Sequence, residues 1–199
     1  MTRSGSKAAA GPAAGDLQRR RQTETVLITG ASSGIGQELA RLYARDGAAL
    51  VLVARSQDRL RELAGELAAK FGVQAQALPA DLSRPGSPRE IVEALVQRHI
   101  NVDVLVNNAG SGARGSIAEL GTQRQLDIID VNVAALTQLT ALLLPGMLER
   151  RHGAVLNVAS TAVFQPGPNQ AVYCATKERY YVQTPSMRLG RSRQVADGI

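Results

Sequence analysis

A tyrosine and a lysine stand at i and i+4 in the stretch YCATK, as Tyr173 and Lys177. On a helix these two positions leave the same face, so the spacing predicts a phenol beside an ammonium. A free phenol titrates near about 10 and is a poor acid/base group at neutral pH, but a neighbouring cation favours its ionised form. Tyr173 can then give a proton to a carbonyl oxygen undergoing reduction. The pair by itself carries little, because both residue types are common on surfaces. Upstream, Ser160 closes NVAS at the carboxyl end of an expected strand. A hydroxyl there can hydrogen-bond a substrate oxygen as negative charge develops, although it could equally cap a turn. Asn132, in DVNVAAL, is an amide within a strongly apolar, helical stretch. Such a group costs stability unless it finds a partner, and its own backbone could supply one.

Bringing Asn132, Ser160, Tyr173 and Lys177 together needs a scaffold, and the chain alternates short apolar runs with helical periods. TVLITG, ALVLVA, VQAQALPA, VDVLVN and AVLNVA read as five buried-type strands. Between them, Ile35, Leu39 and Leu42, then Leu60, Leu63, Ala64, Leu67 and Phe71, recur at helical spacing, with Gly47 and Gly72 as left-handed stops. SPRE predicts the next helix start, with Ser87 as cap, Pro88 in the first turn and Glu90 completing a capping box. The helix carrying Asn132 is expected to run to about Leu144, where Pro145 would end it. Continuous apolar strands separated by helices imply an α/β fold, a doubly wound parallel sheet covered on both faces and built with right-handed crossovers.

The first strand runs into TGASSGIG, Thr29 to Gly36, which opens directly into a helix. Glycines at 30, 34 and 36 allow a tight turn whose amides, with the positive helix end, suit a pyrophosphate. A tight strand-to-helix turn without a ligand is the competing reading. The spacing T-G-x-x-x-G-x-G, with YCATK, Ser160, Asn132 and NNAG, resembles the short-chain dehydrogenase/reductase superfamily over Thr23 to Lys177. The resemblance implies a Rossmann-type fold and an oxidoreductase that moves a hydride between a nicotinamide cofactor and a small carbonyl or alcohol. It also implies roles: Tyr173 as general acid/base, Lys177 as its activator and ribose ligand, Ser160 as oxyanion donor, and Asn132 as anchor of a water relay. Cys174 needs no chemistry, since a free cysteine usually behaves as a small hydrophobe.

For the cofactor, the resemblance implies contacts from Gly30, Ser32, Ser33, Gly34, Ile35 and Gly36, and from Tyr173 and Lys177. An NAD site places an acid after the second strand, whereas a 2'-phosphate needs a cation. Here that strand ends in VARSQDRL, with Arg55 and Ser56 at its tip and no acid before Asp58. Arg55 offers a forked, always charged donor, so the expected cofactor is NADP(H); an exposed arginine at a helix entry is the alternative. Asp81 and Leu82 in PADLS match the family's adenine position. Asn108, Ala109 and Gly110 in NNAG match its adenine-pocket motif. SGARGSIAEL and TAVFQPGPNQ are loops expected to border the substrate.

Beyond Lys177 the resemblance fails. Family members extend the Tyr/Lys helix and add two strands, a Pro-Gly loop and further helices, which need roughly 40 residues or more. Only 22 residues follow Lys177, and Pro185 would cost a helix interior about 3 kcal/mol. The expectation is a changed reading frame after Lys177, tested by translating the adjoining DNA in the other two frames. The expected organisation is a basic Ala/Gly-rich disordered tail at 1–22, the Rossmann-type domain at 23–184, and an irregular tail at 185–199. The fifth strand would then be an uncovered sheet edge. A chain so altered could instead be a catalytically impaired fragment that only binds nucleotide or a partner. Family members commonly pair through two long helices, one of them carrying Tyr173. A homo-oligomer, weakened by the altered C-terminus, is what remains of that here, through LTALLLPGML.

Composition narrows the classes. The net charge of +6 sits at the ends: Arg3, Lys7 and Arg19 to Arg21 outweigh Asp16, and four arginines after Lys177 outweigh Glu178 and Asp197, leaving 23–177 neutral. With two Phe and no Trp to stack on bases, nucleic-acid binding is not expected. One cysteine and two histidines leave no disulfide and no expected metal site. No apolar run approaches the roughly 18 residues that span a bilayer, and no secretory leader is visible, so no membrane partner and a cytoplasmic location are expected.

Overall fold

A computed structural model of the protein describes residues 24–116, 118–160, 170–183 and 187–189, with side chains as far as Lys177. The basic N-terminal tail, Pro185, residues 190–199 and most of the loop TAVFQPGPNQ lie outside the described residues.

Each expected strand forms. They are β1 (Thr25–Thr29), β2 (Ala49–Ala54), β3 (Ala75–Pro79), β4 (Val104–Asn107) and β5 (Gly153–Asn157), all parallel, in the order β3-β2-β1-β4-β5. Successive side chains on a strand point to opposite faces, and both faces are buried here. Val26, Ile28, Leu50, Leu52, Val104 and Val106 enter one core layer, while Leu27, Val51, Val53, Leu105 and Val155 enter the other. Helices α1 (Gly34–Arg45) and α2 (Gln57–Phe71) cover the first face. Helix α3 (Ser87–Gln97) and the long helical rod Thr122–Glu149 cover the second.

Three local expectations change. The cap of α3 is Gly86, in the left-handed conformation with its carbonyl taking the first helical amides, not Ser87. Ser87 turns into the core without a side-chain partner, and Glu90 pairs with Arg84, so no capping box forms. Pro145 does not end the rod, which continues to Glu149. Its ring faces solvent, and the turn beyond it is held by fully buried Met147 against Gly153 of β5. That anchor offsets the lost hydrogen bond. Third, the outer edge of β5 is not bare. A short strand β6 (Met187–Leu189) pairs with it antiparallel, inside the segment expected to be irregular.

The rod comprises α4 (Thr122–Ile129), a π turn at Asp130–Ala134, and α5 (Ala135–Glu149). Uninterrupted by Pro145, it contains an 18-residue window of mean hydropathy 1.6, long and apolar enough by composition to cross a bilayer. It packs on the sheet through Ala135, Leu139 and Met147, and 22% of that window is buried. Leu142 and Leu148 face outward, in the stretch where helix pairing is expected.

Candidate active site

The glycine turn follows from backbone conformation. Gly30 and Gly34 have φ of +66° and +57°, a region that disfavours other residues. Gly30 also lies against the chain after β4: a Cβ there would come within 2.9 Å of Ala109 Cα. Gly36 sits beneath the turn, where a Cβ would lie 2.4 Å from the Gly30 carbonyl and from Asn108 Nδ2. It lines neither of the two cavities described below and instead lets α1 pack onto the turn. The first-turn amides of α1 have no side-chain cap, so they remain available to an anion.

The two asparagines of NNAG do different work. Asn108 donates through Nδ2 to the carbonyls of Thr29 and, at 3.3 Å, Gly30, bracing the glycine turn. Thr29 Oγ1 donates to Val106 O and accepts from the amides of Asn108 and Ala109. Asn107 points the other way, donating to Asn157 Oδ1 on β5 and Thr140 Oγ1 on α5. The carboxyl ends of β1, β4 and β5 are thereby locked together, which is where an open parallel sheet binds its ligands.

Two adjoining cavities open there. One, of about 510 Å³, is bounded by Gly30, Ser32 and Ser33 on the turn, Arg55 and Ser56 after β2, and Asp81 and Leu82 after β3. Asn108, Ala109, Gly110 and Ile35 complete its inner wall, and Arg59 and Arg124 add two cations that the motifs did not single out. The Asp81 carboxylate accepts from both the amide and the hydroxyl of Ser83. The Ser83 amide is the main reason it sits below the usual carboxylate range, with Arg55 and Arg84 adding to the effect. Asp58, in the first turn of α2, does not line this cavity.

The second cavity, of about 820 Å³, brings Ser160, Tyr173 and Lys177 together and shares Ile35, Asn108, Gly110 and Ser111 with the first. Tyr173 and Lys177 project from α6 (Ala171–Gln183) as their spacing requires. Asn132 lines neither cavity and lies behind the wall. Its Oδ1 accepts from the Ser111 amide, and its Nδ2 donates to Ser111 O and Thr176 Oγ1. Both amide hydrogens are thus engaged by protein, so any water at the side chain would have to donate to Oδ1. Gly110 and Gly112 make the wall thin: a Cβ would lie 3.2 Å from Lys177 Nζ at the first and 3.2 Å from the Tyr173 ring at the second. Arg124, from α4, donates to Gly112 O. Gly112, Thr176 and Arg59 lie inside the stretches SGARGSIAEL, YCATK and VARSQDRL without being singled out there, and Arg124 lies in none of the quoted stretches.

Lys177 is only 6% exposed, and its Nζ donates to Val158 O at 3.4 Å. Burial pushes its ammonium below the usual lysine range. The folded state therefore releases this proton at lower pH than the unfolded chain. Lys177 costs stability at neutral pH, and that cost is relieved as pH rises from its lowered value toward about 10.4. Lys177→Met is expected to raise Tm at pH 7 and to lose that advantage above pH ~10, as a calorimetric pH series would show.

Residues 24–190 match the family described as short chain dehydrogenase. An uncharacterized oxidoreductase of Staphylococcus epidermidis is 31% identical over 164 residues, which cover 82% of this chain and 70% of its own. Among solved structures, a short-chain dehydrogenase from Sphingobium yanoikuyae in complex with NADPH has a TM-score of 0.73 at 40% identity, covering 78% of this chain and 60% of its own. The L-sorbose reductase of Gluconobacter frateurii, complexed with NADPH and L-sorbose, has a TM-score of 0.75 at 36% identity, covering 80% and 60%. The chain thus spans 60% of the length of each of these two structures. Since the match begins at β1 and extends past α6, the chain belongs to the short-chain dehydrogenase family.

Proposed function

We propose that the protein is an oxidoreductase that transfers a hydride between NADP(H) and a carbonyl or alcohol substrate. The observation that carries this reading is the convergence of Ser160, Tyr173 and Lys177 on a cavity continuous with the glycine-turn groove. The groove fits a dinucleotide. Uncapped amides open α1, and the backbone at Gly30 approaches Ala109 too closely for any side chain. The hydride is the chemistry that the bound nicotinamide supplies. Tyr173 exchanges the proton with the substrate oxygen, and Ser160 donates a hydrogen bond to that oxygen as charge develops on it. Lys177 stabilises negative charge on the phenol oxygen during the transfer and binds the cofactor ribose. Asn132 anchors the relay that restores the proton, through Oδ1 or through a carbonyl of its π turn.

Preference for NADP(H) rests on Arg55, with Arg59 beside it in the same cavity and no acid at the tip of β2. Removing a charge-assisted contact of this kind costs about 1.5–3 kcal/mol, roughly ten- to hundredfold in affinity. Arg55→Ala is therefore expected to weaken NADPH binding by that factor and leave NADH within about threefold; equal losses for both cofactors would contradict the assignment. The activity itself is tested by consumption of NADPH across a panel of ketones and aldehydes, with Tyr173→Phe as control. Turnover that survives Tyr173→Phe would refute the proposed roles.

A further inference from the structure

Thr176 lies within YCATK at a position given no role there, and it is 5% exposed and makes two hydrogen bonds, one inside α6 and one beyond it. Its Oγ1 donates to the carbonyl of Tyr173, 2.8 Å away and three residues back. The same oxygen accepts from Asn132 Nδ2 at 2.9 Å. Asn132 in turn holds Ser111 by both backbone groups, at 2.8 and 2.9 Å. The next residue, Gly112, lies against the Tyr173 ring, so closely that a Cβ would come within 3.2 Å of it. The contacts therefore form a closed circuit. It leaves Tyr173 through its carbonyl, passes through Thr176, Asn132 and Ser111, and returns through Gly112 to the ring of the same tyrosine.

The hydrogen bonds are short, with the one between Asn132 and Thr176 buried and the others part-buried, and the asparagine sits on a π turn, a geometry that is uncommon and concentrates at functional sites. A serine-like hydroxyl that bonds only its own helix would not need a partner on another element. Here the partner is the buried amide that also holds the wall of the cavity. Such a circuit constrains both the rotation of α6 and the plane of the phenol, which together aim the reacting oxygen.

We propose that Thr176 is a positioning residue, acting through Asn132 and the Ser111–Gly112 wall to fix the orientation of Tyr173 toward the cavity it shares with Ser160 and Lys177. The inference rests on the oxidoreductase reading for its kinetic consequence and on the circuit alone for its structural one. Thr176→Val keeps the shape and removes the hydroxyl; Thr176→Ser restores the hydroxyl.

A misplacement of about 1 Å can cost on the order of a hundredfold in rate. Thr176→Val is accordingly expected to lower kcat roughly 10- to 100-fold with KM for NADPH within about threefold, and Thr176→Ser to recover to within about threefold of the parent. In parallel, the Tyr173 ring resonances, assigned by their loss in Tyr173→Phe, should move in the valine variant and return in the serine variant. An unchanged kcat in Thr176→Val, or a serine variant as impaired as valine, overturns the proposal. If valine does not fold, Thr176→Ala replaces it, and unmoved Tyr173 resonances in that variant overturn the proposal equally. Should no carbonyl be turned over by the parent protein, the oxidoreductase reading fails, while movement and recovery of the ring signals still support the positioning role.

Discussion

Tyr173→Phe is expected to lower kcat by roughly 10²- to 10⁴-fold, the range that a positioned acid/base group contributes. The substitution removes one oxygen and leaves the ring, so the packing of Gly112 on the ring face is retained. Tyr173 borders the Ser160 and Lys177 cavity and does not line the groove of Arg55 and Asp81. NADPH should accordingly bind the variant within about threefold of the parent, because proton transfer is lost and the cofactor groove is untouched. Stopped-flow and steady-state assays with a carbonyl identified by NADPH consumption would check both halves. A kcat within about threefold of the parent would remove Tyr173 from the chemistry.

Among the described glycines, Gly36→Ala is expected to be the most destructive substitution by a single methyl. Its Cβ would lie 2.4 Å from the carbonyl oxygen of Gly30 and 2.9 Å from the carbonyl carbon, and neither is the end of a flexible side chain. Either α1 lifts from β1 or the glycine turn opens, and both moves break the brace from Asn108 to the Thr29 and Gly30 carbonyls. Overpacking of a rigid site typically costs 1–3 kcal/mol, so a Tm lower by about 3–10 °C is expected for a chain of this size. Stabilisation by NADPH should be lost as well, because the turn that meets the cofactor is the part displaced. Gly34 provides the contrast: nothing lies within 4 Å of a Cβ there, so only its φ of +57° opposes substitution. Gly34→Ala should therefore cost about 1–2 kcal/mol by backbone strain alone and keep the response to NADPH.

Much of the scaffold was legible because burial writes itself into the sequence. Val26, Leu27 and Ile28 are apolar on both faces of β1, as only a strand covered on two sides requires, and β2 and β4 repeat the pattern. The glycine turn was legible because positive φ at Gly30 and Gly34 admits few other residues. What escaped was whatever tertiary contact decides locally. Ser87 looked like a helix cap, but Gly86 takes that position and the serine is drawn into the core. Pro145 looked like a terminus until Met147 and Gly153 supplied an anchor beyond it. β6 is three residues long and is held to β5 by backbone pairing, which leaves little side-chain pattern to read.

At the site, the polar trio that meets in the larger cavity was legible and the residues that hold it were not. Ser160, Tyr173 and Lys177 announce themselves through type and spacing. Asn132 was recognised as an amide in need of a partner, but the partners are Ser111 and Thr176, 21 and 44 positions away. Arg59 and Arg124 reach the glycine-turn groove from α2 and α4 with no pattern to mark them. Sequence spacing encodes contacts within one element. Contacts between elements follow only once the sheet order is known.

A preformed NADP(H) site on this chain is read out by a thermal melt of the purified protein with NADPH, with NADH and with neither. Ligand present at about 100 times its dissociation constant stabilises the native state by roughly 2.7 kcal/mol, which is about 5–11 °C for a chain of this size. A shift of that order is expected with NADPH and a clearly smaller one with NADH at the same concentration. No shift with either cofactor, or a larger one with NADH, would contradict it.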